Sequence, residues 1–448
     1  MVTYHKALVK SSLMVKNLSD ILLFEFLSAI FLVSGIPSVL VRLSPSYRYM
    51  IGALLAVMIM YPASSFPTIH EPFKRRMEWL KVVLVSMAIC IVVILPTFIF
   101  IDSRLESASH LFVHDGLVQS EIATQYVLEG KNPYRENYLN TPLALFPNKD
   151  GYNPALEHYP YLPATFLFPL PFQGFLKNIL GWFDQRLVYL LCFAGILLCI
   201  PYLTQEFSKR ITLLTVLGLN PLFGYFFIQG RNDVLVFFWL LITLVSLQLG
   251  SRSWSVVFFA IACSTKQFAW FFFPFYCLYL SGEGSIRERL NRIGKPLFVF
   301  LLVFGVIMLP WVIGDFQAFY ADVFAFQSGM LNDSIPISGM GFSIVLMKLG
   351  ILSNRYAYFP FTYLQIAICI PVMLVLMWRQ EQKNSLVNAL LYYSIVLGIV
   401  MFFSRAFYDN YLGYLINIVT VGLLIQDETR WKKIHSSGLS PALHGSRR

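Results

Sequence analysis

Apolar residues in this chain form long runs that short polar stretches separate. Since a run of about 20 apolar residues predicts a helix that crosses a membrane, the pattern indicates an all-α polytopic membrane protein. Thirteen runs fit it, at residues 20–41, 49–65, 80–101, 186–204, 211–228, 233–249, 252–265, 267–281, 297–313, 338–352, 359–378, 386–403 and 409–425.

Composition supports the same class of protein. Of the 448 residues, 57% are hydrophobic and 13% are charged, whereas soluble domains are about 25% charged. The net charge of +10 fits Lys and Arg beside anionic headgroups, so we do not expect nucleic-acid binding. Residues 1–20 lack the pattern of a cleavable signal peptide. The six cysteines lie inside apolar runs without metal-ligand spacing, which predicts packing roles.

Basic residues set the expected topology. Both ends of the chain are basic, which places both in the cytoplasm and requires an even number of crossings. The run at 338–352 is short and contains Lys348, so we interpret it as an interfacial or re-entrant helix. About twelve crossings remain, in a plasma membrane. The long polar loop at residues 102–185 is then extracytoplasmic.

This loop is far longer than the usual connector of about two to six residues, and such loops are often functional surfaces. It contains His114-Asp115-Gly116. Residues 116–129 have the pattern of an interfacial helix, with Asp115 as the expected N-cap and Gly130 as the expected stop. A carboxylate at a membrane is costly unless it is solvated, paired or used. Asp115 is therefore either a structural cap alone or a cap that also serves chemistry.

Three more polar clusters reach the same membrane face in this topology, at residues 229–233, 264–267 and 404–410. Together with Asp115 they supply carboxylates, arginines and a lysine, which suit an anionic ligand beside a general base. The runs at 252–265 and 267–281 are too short to cross untilted, so they predict a cavity that opens toward the outer leaflet.

The same residues also have structural interpretations. Arg231 pairs with Asp233 across a turn in that interpretation. Lys266 and Arg405 extend to lipid headgroups, and His158 is an interfacial residue in a proline-rich segment.

A metal site is a further alternative for the loop. His110, His114 and Asp115 have ligand spacing if residues 110–115 are helical, and His158 is the other nearby histidine. We expect neither a metal nor a cofactor.

The order of these motifs resembles that of a known family. An Asp after a span, an amphipathic helix and the Gly-Lys-Asn-Pro-Tyr sequence at 130–134 resemble the first outer loop of GT-C glycosyltransferases. The Tyr-Pro-Tyr-Leu-Pro sequence at 159–163 is similar to the segment that leads into their next span. Gly-Arg-Asn-Asp at 230–233 and Ser-Thr-Lys-Gln at 264–267 are similar to two later elements.

The chain looks most like the mannosyltransferase-type branch, glycosyltransferase family 87, over residues 80–425. It departs from the family pattern in two places. The two N-terminal spans have no counterpart, and Arg231 stands where a neutral polar residue is expected.

The resemblance implies an enzyme that moves a sugar, mannose being the expected one, from a polyprenyl-phosphate donor with inversion. The acceptor is a lipid, glycan or protein on the extracytoplasmic face. Asp115 inherits the role of general base, and the departing phosphate needs cations. Candidates for that phosphate are Lys266, Arg405, Arg231 and His158. Candidates for the acceptor or other substrate contacts are His114, Gln119, Asp233, Gln267, Tyr408 and Asp409.

The expected organisation is an N-terminal segment with two spans (1–79), a GT-C-like catalytic module (80–425) and a basic cytoplasmic tail (426–448). Two other functions stay open. A transporter or flippase of lipid-linked saccharides needs the same cavity without a base, although the chain lacks the internal repeat that many transporters show. A non-catalytic assembly subunit is the second.

Overall fold

The structure of the chain is a computed structural model dominated by α-helices. It describes residues 2–65, 71–107, 113–146, 151 and 153–426, without the side chains of residues 2–17 and 71.

Among the described residues, eight α-helices precede residue 181. They are α1 (Val2–Val33), α2 (Ile36–Leu43), α3 (Tyr47–Ala63), α4 (Glu71–Ile89), α5 (Leu95–Ser107), α6 (Asp115–Leu128), α7 (Ala164–Leu167) and α8 (Leu170–Leu180).

The helices after residue 181 form the larger part of the bundle. They are α9 (Arg186–Leu203), α10 (Phe207–Leu219), α11 (Pro221–Ile228), α12 (Asp233–Gln248), α13 (Arg252–Thr265), α14 (Phe273–Ser281), α15 (Ile286–Gly314), α16 (Phe316–Tyr320), α17 (Phe326–Ser328), α18 (Phe342–Lys348), α19 (Phe361–Gln382), α20 (Leu386–Phe402) and α21 (Asp409–Leu424).

Shorter elements connect these helices. Turns of 3₁₀-helix lie at Pro142–Leu145, Pro154–Leu156 and Gln267–Phe272, and π-helical turns lie at Cys90–Ile94 and Ala321–Ala325. Two short strands, β1 (Ser338–Gly339) and β2 (Ala406–Phe407), pair in parallel with Ser338 opposite Ala406.

The helical fold class is confirmed, whereas the expected twelve crossings are not. By length and composition, four helical segments among the described residues can cross a membrane, or six if each of two bent pairs counts as one crossing. Three further apolar helices, α3, α12 and α20, have 16 or 17 residues. The helix in the run at 338–352 is α18, which has seven residues and is too short to cross.

Local sequence explains the bend between α10 and α11. The Asn220 side chain accepts a hydrogen bond from the Leu222 amide at 3.1 Å and Pro221 opens α11, a combination that starts a new helix. The predicted run at 211–228 is therefore bent by 43°. The first run is bent by 58° at Ser34 and Gly35, between α1 and α2.

Outer helices expose apolar side chains. Only 11% of the most apolar 18-residue stretch of α15 is buried, and only 17% of that of α19. Phe298, Val306 and Ile313 are among the exposed residues of α15. Apolar faces this large need an apolar surrounding, which indicates contact with a membrane.

The centre of the bundle is α12, which packs against α9 and α13. Its residues Leu235, Val236, Phe237 and Leu240 are completely buried. A helix that is apolar on all sides belongs in a core. Its first residue, Asp233, is consequently fixed deep in the protein.

Candidate functional site

Four segments that are distant in the sequence line one cavity of about 1180 Å³. They are the start of α6, the turn before α12, the connection from α13 to α14, and the connection from α20 to α21. These are the four clusters that the sequence predicts on one face. Eight of the eleven predicted site residues line the cavity: His114, Asp115, Gln119, Arg231, Lys266, Gln267, Arg405 and Tyr408. His158, Asp233 and Asp409 do not.

The start of α6 corrects one prediction. The N-cap is His114, whose Nδ1 lies 2.9 Å from the Gly116 amide nitrogen, while Asp115 is the first helical residue. The helix ends before Gly130, which has a φ of +75° as expected for a stop. The helix itself is thus one residue away from its predicted bounds.

The Asp115 carboxylate faces the cavity with few partners. Its Oδ1 accepts a hydrogen bond from the Gly116 amide at 2.7 Å and lies 3.0 Å from His114 Nδ1. The side chain keeps 37% of its surface accessible, although the site lies deep in the protein. Burial raises the pKa of Asp115, but His114, the Gly116 amide and Arg231 outweigh that effect and lower it to about 2. The carboxylate is therefore ionised and within reach of a ligand.

Two close contacts fix the start of α6. A Cβ at Gly116 would lie 2.2 Å from the Tyr161 hydroxyl, and one at Gly230 would lie 2.1 Å from Leu117 Cδ1. Gly230 also has a φ of +91°, which favours glycine. The His114 amide donates to the Gln229 carbonyl at 2.8 Å. The base candidate and the turn at 229–233 are thus held together.

A buried charge network anchors the far side of α6. Glu121 accepts from Arg104 at 2.7 Å and from the Gln185 amide at 2.8 Å. The Asp184 carboxylate forms ion pairs with Arg104 and with the fully buried Arg186, each at 2.7 Å. Such paired charges are costly to break, so the network fixes α6 relative to α5 and α9.

Arg231 lines the cavity with a guanidinium that is only partly hydrogen-bonded. Its Nη1 donates to Asn410 Oδ1 at 3.0 Å, and its guanidinium lies over the rings of Phe226 and Tyr408 at 4.9 and 5.3 Å. Its Nε is buried without a hydrogen-bond partner. Within the described part of the chain Arg231 has no carboxylate within ion-pair distance, contrary to the predicted pairing with Asp233. An anion in the cavity would compensate this charge.

Lys266 is paired inside the protein and does not extend to headgroups. Its ammonium donates to Asp233 Oδ1 and, at 3.3 Å, to Asn232 Oδ1. The rings of Phe268 and Tyr411 lie 4.5 and 4.8 Å from it. Its charge is thereby balanced before any ligand binds.

Asn410 joins this pair to Arg231. Its amide nitrogen donates to Asp233 Oδ2, while its oxygen accepts from Arg231. Lys266, Asp233, Asn410 and Arg231 therefore form one hydrogen-bonded chain across two walls. The sequence places Asn410 in a polar cluster but does not reveal this connecting role.

Arg405 is also buried, with 2% of its surface exposed, so it does not reach headgroups either. Its guanidinium donates to the carbonyls of Ile335, Ala357 and Arg355 at 2.6, 2.9 and 3.2 Å. It has no carboxylate within ion-pair distance among the described residues. Arg405 therefore holds the 335–357 segment and adds an unbalanced positive charge to the cavity wall.

His158 lies outside the cavity and bridges two carboxylates. Its Nδ1 is 2.7 Å from Asp322 and its Nε2 is 2.9 Å from Asp333. Burial lowers the pKa of His158, but the two carboxylates outweigh that effect and raise it. Both ring nitrogens are occupied, which argues against the predicted phosphate contact.

The remaining predicted residues differ in availability. Gln119 donates to the carbonyls of Ala155 and His158 at 2.7 and 2.6 Å, so it positions that loop. Gln267 lines the cavity, and its side chain makes no hydrogen bond to a described residue. The Tyr408 hydroxyl accepts from Ser338 at 2.7 Å. Asp409 is exposed at the start of α21, away from the cavity.

Tyr161 is a cavity residue that sequence reasoning did not single out. Its hydroxyl lies against Gly116, and burial raises its pKa well above the ordinary value, with Asp115 adding to the effect. The hydroxyl therefore stays protonated beside the carboxylate. Its position in the Tyr-Pro-Tyr-Leu-Pro sequence was the available signal.

The described residues contain no group of three or more His, Cys, Asp or Glu arranged to hold a metal. His110, one member of the alternative metal site, lies outside the described residues. No family model, curated protein or solved structure matches this chain. The site therefore has to be interpreted from its own geometry.

Proposed function

We propose that this protein is an inverting membrane glycosyltransferase that uses a polyprenyl-phosphate sugar. The observation that carries the proposal is an accessible, ionised Asp115 in the same cavity as Arg231, an arginine that has no ion-pair partner among the described residues. One group can accept a proton while the other binds a departing phosphate. The presence of both groups in one cavity supports sugar transfer more directly than transport, because transport needs no base.

The proposed reaction assigns each bond. The acceptor hydroxyl oxygen attacks the anomeric carbon of the sugar and forms the new glycosidic bond. The bond from that carbon to the phosphate oxygen breaks, and its electron pair leaves with the lipid phosphate. Asp115 takes the hydroxyl proton, and Arg231 compensates the phosphate charge. Attack opposite the leaving group inverts the anomeric configuration.

The other polar residues then have supporting roles. Lys266 and Asp233 hold the turn that carries Arg231, which revises the predicted phosphate contact of Lys266. Arg405 contributes positive potential from the opposite connection. Gln267, Tyr161 and Tyr408 remain as candidate contacts to sugar or acceptor hydroxyls.

The proposal includes a GT-C arrangement with twelve crossings, cytoplasmic termini, and a site on the extracytoplasmic face of a plasma membrane. Likeness to glycosyltransferase family 87 and mannose as the sugar are included. The positive cavity wall and its many aromatic residues support a saccharide attached to an anionic lipid.

The test is reconstitution of purified protein in nanodiscs with polyprenyl-phosphate mannose and a panel of glycolipid, glycan and peptide acceptors. Wild-type protein should transfer sugar, whereas Asp115→Asn should bind the donor without turnover. Asp102→Asn is the matched control, because Asp102 is exposed on α5 outside the cavity. Turnover by Asp115→Asn at the wild-type rate would refute the base assignment. Donor binding without turnover by the wild-type protein would favour the transport alternative.

A further inference from the structure

A second cavity of about 370 Å³ has mainly apolar walls. Ligand pockets range upward from about 300 Å³, so this one can hold part of a ligand. It lies where α1, α2, the π-helical turn before α5, and α11 meet. Leu27, Phe31, Val39, Val93 and Gly224 are among its lining residues.

The residues at the bend between α1 and α2 line this cavity, and two of its polar side chains, Ser34 and Asn220, already have hydrogen-bond partners. The Ser34 hydroxyl donates to the Phe31 carbonyl at 2.7 Å. The Asn220 amide donates to the Gly413 carbonyl at 3.0 Å and to Asn417 Oδ1 at 2.8 Å. The walls therefore offer little to a sugar or a phosphate and favour a hydrocarbon.

Tyr225 lies between the two cavities, because it lines both of them. The Tyr225 hydroxyl makes no hydrogen bond to a described residue. The next residue, Phe226, has the Arg231 guanidinium 4.9 Å above its ring. A tyrosine with an apolar ring and a polar tip suits a boundary between hydrocarbon and polar groups. An apolar compartment thus borders the compartment that holds the unpaired arginine.

We propose that this apolar cavity binds the hydrocarbon chain of a lipid phosphate whose phosphate group lies at Arg231. The occupant is an isoprenoid chain, and Tyr225 marks the junction between chain and phosphate. This inference rests on the proposed function for the identity of the lipid. It also gives a role to α1 and α2, which have no counterpart in the family pattern that the sequence resembles.

Binding measurements test this inference without sugar transfer. Wild-type protein in nanodiscs should bind a long-chain polyprenyl phosphate more tightly than inorganic phosphate. Val39→Trp, which fills the cavity, should weaken binding of the lipid phosphate at least about 10-fold, because buried methylene groups lose their site. Leu22→Trp is the control, since Leu22 is 59% exposed on α1 and does not line the cavity. Unchanged affinity in Val39→Trp would overturn the inference.

A second measurement does not depend on the folding of a variant. A photoactivatable polyprenyl phosphate should label α1, α2 or α11 of the wild-type protein, and excess polyprenyl phosphate should compete. Polyprenol, which lacks the phosphate, should compete poorly. Equal competition by polyprenol would mean that only bilayer-like hydrocarbon occupies the cavity, and labelling elsewhere would also refute the proposal.

The two proposals fail in different ways. Lipid-phosphate binding that depends on Val39, without any transfer by the wild-type protein, would support the chain site and contradict the glycosyltransferase. Transfer that requires Asp115, with normal lipid-phosphate binding by Val39→Trp, would do the reverse.

Discussion

Asp115 and Asp233 occupy the same local position, the first residue of a helix, yet their surroundings differ. The Asp115 side chain is 37% accessible and faces the large cavity. The Asp233 side chain is 4% accessible and is bound by Lys266 and Asn410. Helix position therefore indicates where a carboxylate is, whereas its partners decide whether it is free to accept a proton.

The largest expected effect comes from removing the accessible carboxylate. Asp115→Asn should lower kcat by about 10²- to 10⁴-fold, the usual contribution of a general base. Its melting temperature should stay close to that of the wild type, because no ion pair with a buried lysine is lost. Steady-state kinetics and thermal unfolding on the same preparation measure both quantities. A large fall in melting temperature would mean that Asp115 is mainly a structural residue.

The paired carboxylate should show the opposite behaviour. Asp233→Asn leaves the buried Lys266 without its counter-ion, a change that costs about 3–5 kcal/mol of stability. The double variant Asp233→Asn with Lys266→Met should recover part of that loss, since neither charge then stays buried. Thermal unfolding of the wild type, both single variants and the double variant forms the required cycle. Strict additivity of the two single losses would contradict the pairing.

Arg231 separates the two carboxylates functionally, because it lies near one and is hydrogen-bonded through Asn410 to the other. Arg231→Gln should raise the donor KM by about 10-fold, as expected when one charge-assisted contact is lost. The exposed Arg252 provides the control variant Arg252→Gln. Donor titrations of initial rates distinguish the two. A donor KM equal to that of the wild type would exclude Arg231 from phosphate binding.

The smallest expected effect is a change in stability with pH, which comes from the bridge between His158 and two carboxylates. The folded state raises the pKa of His158 above its ordinary value of 6.5. Its bridge to Asp322 and Asp333 is therefore fully present below pH 6.5 and weakens as pH rises through the raised pKa. The wild type should lose about 1 kcal/mol over that window relative to His158→Gln. Unfolding curves between pH 5.5 and 8.5 measure this difference, and parallel profiles would disprove it.

Local patterns predict the helices well because helix starts and stops depend on nearby residues. The α6 prediction is one residue from the observed bounds, and α9 agrees at its first residue. The convergence of four clusters was also predictable, since topology alone brings connections on one face together. The bends at Gly35 and Asn220 interrupt two apolar runs that hydropathy treats as continuous, and α3, α12 and α20 have only 16 or 17 residues. The number of crossings therefore does not follow from hydropathy alone.

Partners across the fold were not predictable in the same way. Lys266 and Arg405 look like headgroup ligands in the sequence, because each lies in a short polar stretch beside an apolar run. Lys266 is paired with a residue 33 positions away, and Arg405 binds carbonyls 48 to 70 positions away. His158 likewise meets carboxylates more than 160 positions away. Such contacts arise only when the chain is packed.

The hydrogen bond from the His114 amide to the Gln229 carbonyl has a consequence for engineering. It holds the segment that carries Asp115 against the turn that carries Arg231, although the two residues are far apart in the sequence. A change in the 229–233 turn would therefore act on the position of Asp115 as well as on that of Arg231. A substitution meant to widen the cavity without disturbing this contact would therefore go elsewhere in the lining, for example at Val323 or Phe326.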